Sequence, residues 1–176
     1  MKVCAPRFNT YLALAVVLAF FCGCQTGKNP PKEISALRVH LQASPNDAGV
    51  TDTVSVLRAD PVSVTVGQDP ILTEANIIAA KVIDAQGGFA IEIQFDESAT
   101  LMLEQYTAAN PGRHLVIFGQ WGEKITDGRW LAAPLITHRI SNGLLAFTPD
   151  ISRPEADRFV LGLNNVSAKI HKGMFK

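Results

Sequence analysis

The chain has 176 residues, 47% of them hydrophobic, and its 16 basic side chains balance 16 acidic ones. This balance excludes the basic surface that nucleic-acid binding requires. About 150 residues beyond the N-terminal segment are enough for one domain with its own hydrophobic core.

The N-terminus has the pattern of a signal peptide. Lys2 and Arg7 supply positive charge, and an apolar run of about 11 residues follows from Tyr11 to Phe21. A helix that crosses a membrane needs about 20 apolar residues, so this run is too short for a permanent span. We therefore predict that residues 1–23 are a signal peptide.

The signal peptide ends in Phe21-Cys22-Gly23-Cys24, which resembles a bacterial lipobox, where small residues precede a cysteine that is acylated and then freed by cleavage. Gly23 fits the pattern, whereas Phe21 and Cys22 depart from it. We predict that Cys24 is lipidated, which anchors the protein stably in a membrane through two acyl chains. Gln25, rather than an aspartate, after the cysteine favours the outer membrane, facing the periplasm. The alternative is an ordinary secretory signal.

Residues 24–33 are polar and contain a Pro-Pro pair, which is typical of a flexible tether. All three cysteines (Cys4, Cys22 and Cys24) lie at or before the predicted cut, so no thiol remains for a disulfide, a metal or a nucleophile. Removal of Lys2 and Arg7 leaves 14 basic against 16 acidic residues, a net charge of −2. We expect a single domain over residues 34–176.

Alternating apolar residues predict strands in this domain. Short alternating runs lie at 37–41, 54–56 and 62–66, and the clearest covers 88–96. Such alternation indicates a sheet with one face on a core and the other toward water. Further strands are expected near His114–Gly119, Trp130–Thr137 and Gly143–Thr148.

Two helices complete the prediction. One is expected over Ser98–Ala108, where Asp96 and Glu97 suit a helix N-terminus. The other begins at the capping box Ser152-Arg-Pro-Glu155, and an apolar stripe follows at i, i+3, i+4 and i+7 from Ala156. We therefore predict an α+β fold, a mostly antiparallel sheet with two main helices packed on one face.

The sequence offers little material for catalysis. Four histidines are scattered without metal-ligand spacing, and the neighbouring carboxylates fall at helix starts. We therefore expect no enzymatic activity, no catalytic residues, no metal site and no cofactor.

Trp121 and Trp130 flank a polar stretch and have two interpretations. One is a pair of aromatic side chains packed across a hairpin. The other is an exposed pair that binds a protein partner, because tryptophan is enriched at binding hot spots.

Several short stretches, in the same order and with similar spacing, resemble the periplasmic head domain of the protein-translocase subunit SecD over about residues 70 to 166. They are Pro70-Ile-Leu-Thr73, Ile91-x-Ile-x-Phe95-Asp, Thr107-x-x-Asn110-x-Gly112-Arg113-x-Leu115-x-Ile117, Ala133-Pro134-x-Ile136 and Glu155-Ala156. We interpret Asn110, Gly112 and Arg113 as a structural turn, because glycine releases a helix end into a strand. The longer Gly119–Arg129 excursion departs from the family.

The resemblance implies a lipid-anchored envelope module that binds exported polypeptides or other proteins, with a link to protein export. The alternative is an adaptor lipoprotein that docks on one envelope assembly. No apolar run after Cys24 is long enough to span a membrane, so the proton-driven work of SecD's transmembrane helices is not implied.

Overall fold

The computed structural model describes residues 33–44, 49–122, 125 and 127–173, and in this part of the chain it contains nine strands and two α-helices. The strands are β1 (Ile34–Leu41), β2 (Thr51–Val56), β3 (Val62–Gly67), β4 (Leu72–Thr73), β5 (Ile77–Ala85), β6 (Gly88–Phe95), β7 (Leu115–Gly122), β8 (Asp127–Ala132) and β9 (Leu144–Phe147). The helices are α1 (Glu97–Ala109) and α2 (Arg153–Gly173), and one 3₁₀ turn covers Glu74–Asn76.

The predicted signal peptide and residues 24–32 of the predicted tether lie outside the described residues. Glu33, expected to end the tether, belongs to the folded domain instead. Its side chain accepts a hydrogen bond from Arg158 Nε at 2.9 Å, and its carbonyl accepts one from Asn165 Nδ2 at 3.0 Å. Both donors lie on α2, so the fold begins at least one residue earlier than predicted.

Among the described residues every strand pairing is antiparallel, and the strands form three sheets. A four-stranded sheet has the order β4-β1-β7-β8, a three-stranded sheet has the order β5-β6-β9, and β2 and β3 form a hairpin. The predicted α+β class, mostly antiparallel with two main helices, is confirmed. The division into three sheets depends on long-range pairing that local alternation does not reveal.

Both helices contribute to one main core. Leu103 of α1 and Phe159 of α2 are fully buried there with Phe95 and Trp121. Helix α2 approaches β1 closely at Gly162, where an added Cβ would lie 2.8 Å from the backbone nitrogen of Ser35. A glycine at this position allows the helix to pack against the sheet.

The β2–β3 hairpin covers the opposite face of the four-stranded sheet and forms a second, smaller core. Val54, Val56, Val64 and Val66 pack there against Val116 of β7. At its tip the hairpin is tied to the segment before α2, because Asp150 Oδ2 accepts hydrogen bonds from Arg58 N at 2.8 Å and Arg58 Nε at 3.2 Å.

Most predicted elements are found within a few residues of their expected bounds, but β8 is shorter than expected. It ends at Ala132 rather than near Thr137. Pro134 follows two residues later, and proline has no N–H to continue a strand ladder. Its carbonyl still accepts a hydrogen bond from Leu115 N at 3.0 Å, so the segment stays beside β7 without remaining a strand.

Candidate functional site

The two tryptophans do not form an exposed pair, so that expectation is wrong. Trp121 is only 1% exposed and packs edge-on against Phe159 in the main core, with ring centroids 5.7 Å apart. Trp130 lies on the other face of the sheet, 5.1 Å from the ring of Phe118 and 5.3 Å from that of His40. The two side chains also do not pack across a hairpin, because alternation in the paired strands directs them to opposite faces.

The turn at Asn110, Gly112 and Arg113 is held by backbone contacts. Asn110 Nδ2 donates to Tyr106 O at 2.9 Å, which satisfies a carbonyl at the end of α1. Gly112 has φ +82°, and its N–H donates to Ile136 O at 2.9 Å. Ile136 N in turn donates to Arg113 O at 2.8 Å. These contacts favour the structural interpretation of the turn.

The histidines make structural hydrogen bonds. His40 Nδ1 lies 2.9 Å from Gly67 O, and His114 Nδ1 lies 2.8 Å from Gln42 Oε1. In the described part of the chain, no group of three or more His, Cys, Asp or Glu side chains is placed to hold a metal ion.

The three-stranded sheet has two outer edges, and α2 covers the one formed by β5. Asn164 Oδ1 accepts from Ala80 N, and Asn164 Nδ2 donates to Ala80 O, both at 2.9 Å. Ser167 Oγ donates to Ile78 O at 2.9 Å, and His171 Nε2 lies 3.3 Å from Ile77 O. Asn164, Ser167 and His171 lie on one helix face, so their side chains take the place of a neighbouring strand.

The other edge is β9, and its outward backbone groups follow from the register. Phe95 N donates to Gly143 O at 3.0 Å, so the pairs of β6 with Leu145 and Phe147 are hydrogen-bonded pairs by alternation. The N–H and C=O groups of Leu144 and Ala146 therefore point away from the sheet. Leu144 N donates locally to Asn142 Oδ1 at 3.1 Å, whereas no described residue hydrogen-bonds to the backbone of Ala146.

Beside this edge lies a cavity of about 420 Å³, which we call the edge groove. Its lining combines β9 residues with the segment that follows β8, and its apolar members include Leu115, Leu135, Ile136, Ile140, Leu144 and Ala146. The segment is fixed to α1, because Ile140 N donates to Thr107 Oγ1 at 2.9 Å. The groove therefore has one wall held in place by the helix.

The second cavity, the hairpin groove, has a volume of about 500 Å³ and lies between the β2–β3 hairpin and the end of β9. Its lining includes Val56, Leu57, Val62, Pro134, Phe147 and Thr148. Pro134 lines both grooves. The two grooves thus follow β9 from Leu144 to Thr148.

Three of the eight exposed large apolar side chains among the described residues line these grooves. Leu135 is 51% exposed at the edge groove, and Leu57 and Val62 are 43% and 49% exposed at the hairpin groove. No Asp or Glu lines either groove, whereas Arg139 lines the edge groove. Sequence reasoning missed these residues. The Asn142-Gly143 turn was the only available signal, and it located the start of β9 but not its place at a sheet edge.

A family model for the P1 head subdomain of SecDF matches residues 51–167, which is about two thirds of the chain. The chain therefore belongs to the SecDF P1 head family. The match begins earlier than the predicted likeness, at 51 rather than about 70, because it includes the β2–β3 hairpin.

Two solved structures of SecDF have a similar fold. One, a membrane component that enhances protein export, gives a TM-score of 0.52 and 18% identity over 93% of this chain and 71% of that chain. The other, SecDF in a Super-membrane-facing form, gives a TM-score of 0.54 and 19% identity over 91% of this chain and 21% of that chain. No curated protein matches significantly. Among the described residues of this chain, no helix has the length and apolar character to cross a membrane.

Proposed function

We propose that this chain is a non-enzymatic, lipid-anchored envelope protein whose head domain binds non-folded segments of exported polypeptides. The observation that carries this proposal is the open β9 edge, which has the edge groove beside its first residues and the hairpin groove beside its end. Family membership supports the link to protein export, since a SecDF with a similar fold enhances that process.

Such a surface suits partners that have no fixed fold. A sheet edge binds an extended chain through backbone hydrogen bonds, which tolerate many sequences. The exposed side chains of Leu57, Val62 and Leu135 add apolar contact without requiring a particular partner residue. Exposed apolar patches in soluble domains are typical of binding sites.

Photocrosslinking in cells tests this function. A photoreactive residue replaces Leu135 or Thr148 at the grooves, and in a matched control it replaces exposed Lys169 on α2. We expect a broad set of exported proteins to be captured from the groove positions and not from Lys169. Equal capture from all three positions would contradict the proposal.

The same experiment distinguishes the proposed function from the adaptor alternative. An adaptor has one folded partner, so one dominant envelope protein would be captured in place of a broad set. That result would overturn the binding of non-folded chains and leave family membership as a statement about fold.

The anchor belongs to the proposal as well. We propose that Cys24 carries the lipid and that the protein lies at the outer membrane, facing the periplasm. Cys24→Ser should abolish lipidation and membrane retention, whereas the matched variant Cys22→Ser should retain both. Mass spectrometry and membrane fractionation measure the two properties. Retention of lipid by the Cys24 variant would contradict this part of the proposal.

A further inference from the structure

We propose that Leu57 contacts a large apolar side chain of the bound segment in the hairpin groove, and that Asp150 is the residue that positions Leu57 for this contact. This inference rests on the proposed function and specifies which part of the partner is recognised there. Leu57 begins the turn that joins β2 to β3, and it lines the hairpin groove with 43% of its surface exposed.

The backbone of Leu57 has a conformation that leucine rarely adopts. Its φ is +69°, in the left-handed region, where the Cβ of an L-residue lies too close to the following carbonyl oxygen. Glycine adopts this region without that cost, whereas a bulky residue there is a strained exception. Because the side chain is only partly buried, apolar burial repays little of the strain. Strained residues cluster where proteins bind ligands, so this combination indicates a role in binding rather than in stability.

The conformation is fixed on both sides of Leu57. Val56, which precedes it, is 1% exposed in the smaller core. On the other side, Arg58 N and Arg58 Nε donate to Asp150 Oδ2 at 2.8 Å and 3.2 Å. Because the Arg58 N–H belongs to the peptide unit that follows Leu57, this bond fixes the orientation of that unit. Asp150 is itself held, since its N–H donates to Leu131 O at 2.8 Å, so it keeps Leu57 in place at the groove.

The lining of the hairpin groove favours an apolar side chain over a charged one. None of the described residues that line it is Asp, Glu, Lys or Arg. Two of its polar members are bound to each other, because Gln42 Oε1 accepts from His114 N at 3.0 Å and lies 2.8 Å from His114 Nδ1. A charged side chain would lose hydration here without gaining an ionic partner, which is costly. A large apolar side chain instead gains contact with Leu57, Val62 and Phe147.

Peptide binding by the purified lipoprotein in detergent tests this chemistry. Two short fluorescent peptides of serine and threonine differ only at the central residue, which is phenylalanine in one and lysine in the other. A single large residue prevents any shift of register. We expect the phenylalanine peptide to bind about tenfold more tightly, because burial of an apolar side chain is favourable and burial of an unpaired charge is not.

Leu57→Gly and Leu57→Ala separate the side chain from the strain. Both should bind the phenylalanine peptide about tenfold more weakly, because both remove the contact. Leu57→Gly should melt at a higher temperature than Leu57→Ala, because glycine adopts a positive φ readily and alanine does not. Unchanged affinity in these variants would overturn the role of Leu57. If neither folds, Leu57→Asn provides the test, since asparagine also tolerates this conformation.

The matched control is the same pair of substitutions at Leu101, which is 63% exposed on α1 and lines neither groove. Both Leu101 variants should bind the peptide normally. Their order of stability should be reversed, with Leu101→Ala above Leu101→Gly, because alanine favours a helix. The same order at both positions would overturn the strain at Leu57.

Asp150→Ala tests the positioning, because it frees the turn and leaves the Leu57 side chain present. We expect binding about fivefold weaker, and no further loss when Leu57→Gly is added, because Asp150 acts through Leu57. Losses that multiply in the double variant would overturn the positioning role. The matched control is Asp84→Ala, which removes the exposed carboxylate that pairs with Arg153 and should bind normally.

The possible failures are distinguishable. Equal affinity for the two peptides, or no affinity for either, would overturn this inference alone if exported proteins are still captured in cells. No affinity for either peptide, together with no capture in cells, would overturn the proposed function itself. Self-association that increases with protein concentration and is lost in Leu57→Gly would identify a second copy as the occupant and overturn the external segment.

Discussion

The two edges of the three-stranded sheet are treated in opposite ways. At β5, side chains of α2 bind the outward backbone groups of Ala80, Ile78 and Ile77. At β9, the outward groups of Ala146 have no partner among the described residues. Unpaired strand edges invite pairing with other chains, so proteins usually protect them. Within this three-stranded sheet, α2 therefore blocks the addition of a strand at β5 and not at β9.

We expect the largest loss of stability from a substitution that removes the protection of the β5 edge. Asn164→Ala leaves the N–H and C=O of buried Ala80 without their partner, and each unsatisfied group costs about 1–3 kcal/mol. We expect the free energy of unfolding to fall by about 2–4 kcal/mol. Urea unfolding measures this change, and hydrogen exchange at the Ala80 amide should become faster. An unchanged exchange rate would show that α2 does not protect this edge.

The second largest loss of stability is expected where α2 packs closely on the sheet. Gly162→Ala places a methyl group against Ser35, and overpacking of this kind costs about 1–3 kcal/mol. The better helix propensity of alanine offsets up to about 1 kcal/mol of that loss. We therefore expect a net decrease in stability by thermal unfolding. The matched control is Ala168→Gly on the exposed face of α2, which should lose only the propensity difference.

A smaller effect is expected at the start of α2. Hydrogen bonds from the backbone N–H and the hydroxyl of Ser152, both 2.8 Å long, hold the pKa of Glu155 below its ordinary value near 4.5. The folded state therefore gains stability above the pKa of the unfolded state and loses it as the pH falls through the folded value. Gln can keep these hydrogen bonds but loses the negative charge near the helix N-terminus, so Glu155→Gln should cost about 0.3–1 kcal/mol at neutral pH.

Urea unfolding at neutral pH and at several acidic pH values measures both properties. The wild-type protein should lose more stability than the Gln variant as the pH falls below about 4.5. Identical pH profiles for the two proteins would contradict a role for the ionised carboxylate in this cap.

We expect the smallest loss of stability from a substitution at the open β9 edge. Asn142 resembles Asn164 because its side chain accepts from the backbone N–H of an edge strand, here that of Leu144. This hydrogen bond is exposed, so water replaces it in Asn142→Ala and we expect a loss of no more than about 1 kcal/mol. Comparing the two Asn→Ala variants in urea measures how differently the edges are protected. Equal losses would remove the distinction between them.

Much of the local structure could be predicted from the sequence because it depends on neighbouring residues. The alternation at Gly88–Phe95 and the capping box at Ser152–Glu155 both correspond to observed elements. The helix predicted over Ser98–Ala108 is observed as α1, and Asp96 Oδ1 accepts from Ala99 N at 2.8 Å at its start.

The candidate site could not be predicted in the same way. Whether β9 lies at an edge or inside a sheet depends on strand order, which is fixed by contacts far apart in sequence. The burial of Trp121 could have been predicted locally, because alternate residues of a strand share a face and Trp121 is on the same face of β7 as buried Leu115 and Ile117. The face occupied by Trp130 depends on the register between β7 and β8, which includes an irregularity between Ile117 and Phe118.

Strand β1 lies between two places that matter for the proposed function, the point where the predicted tether joins the domain and the hairpin groove. It begins after Glu33, where the predicted tether joins the domain, and ends at Leu41, beside Gln42 of the hairpin groove. Its eight residues span about 26 Å. In the proposed arrangement, a lipid pulls at one end while a captured chain pulls near the other. That force runs along β1 and loads its eight-residue pairing with β7 in shear, so the hydrogen bonds resist together instead of opening one at a time.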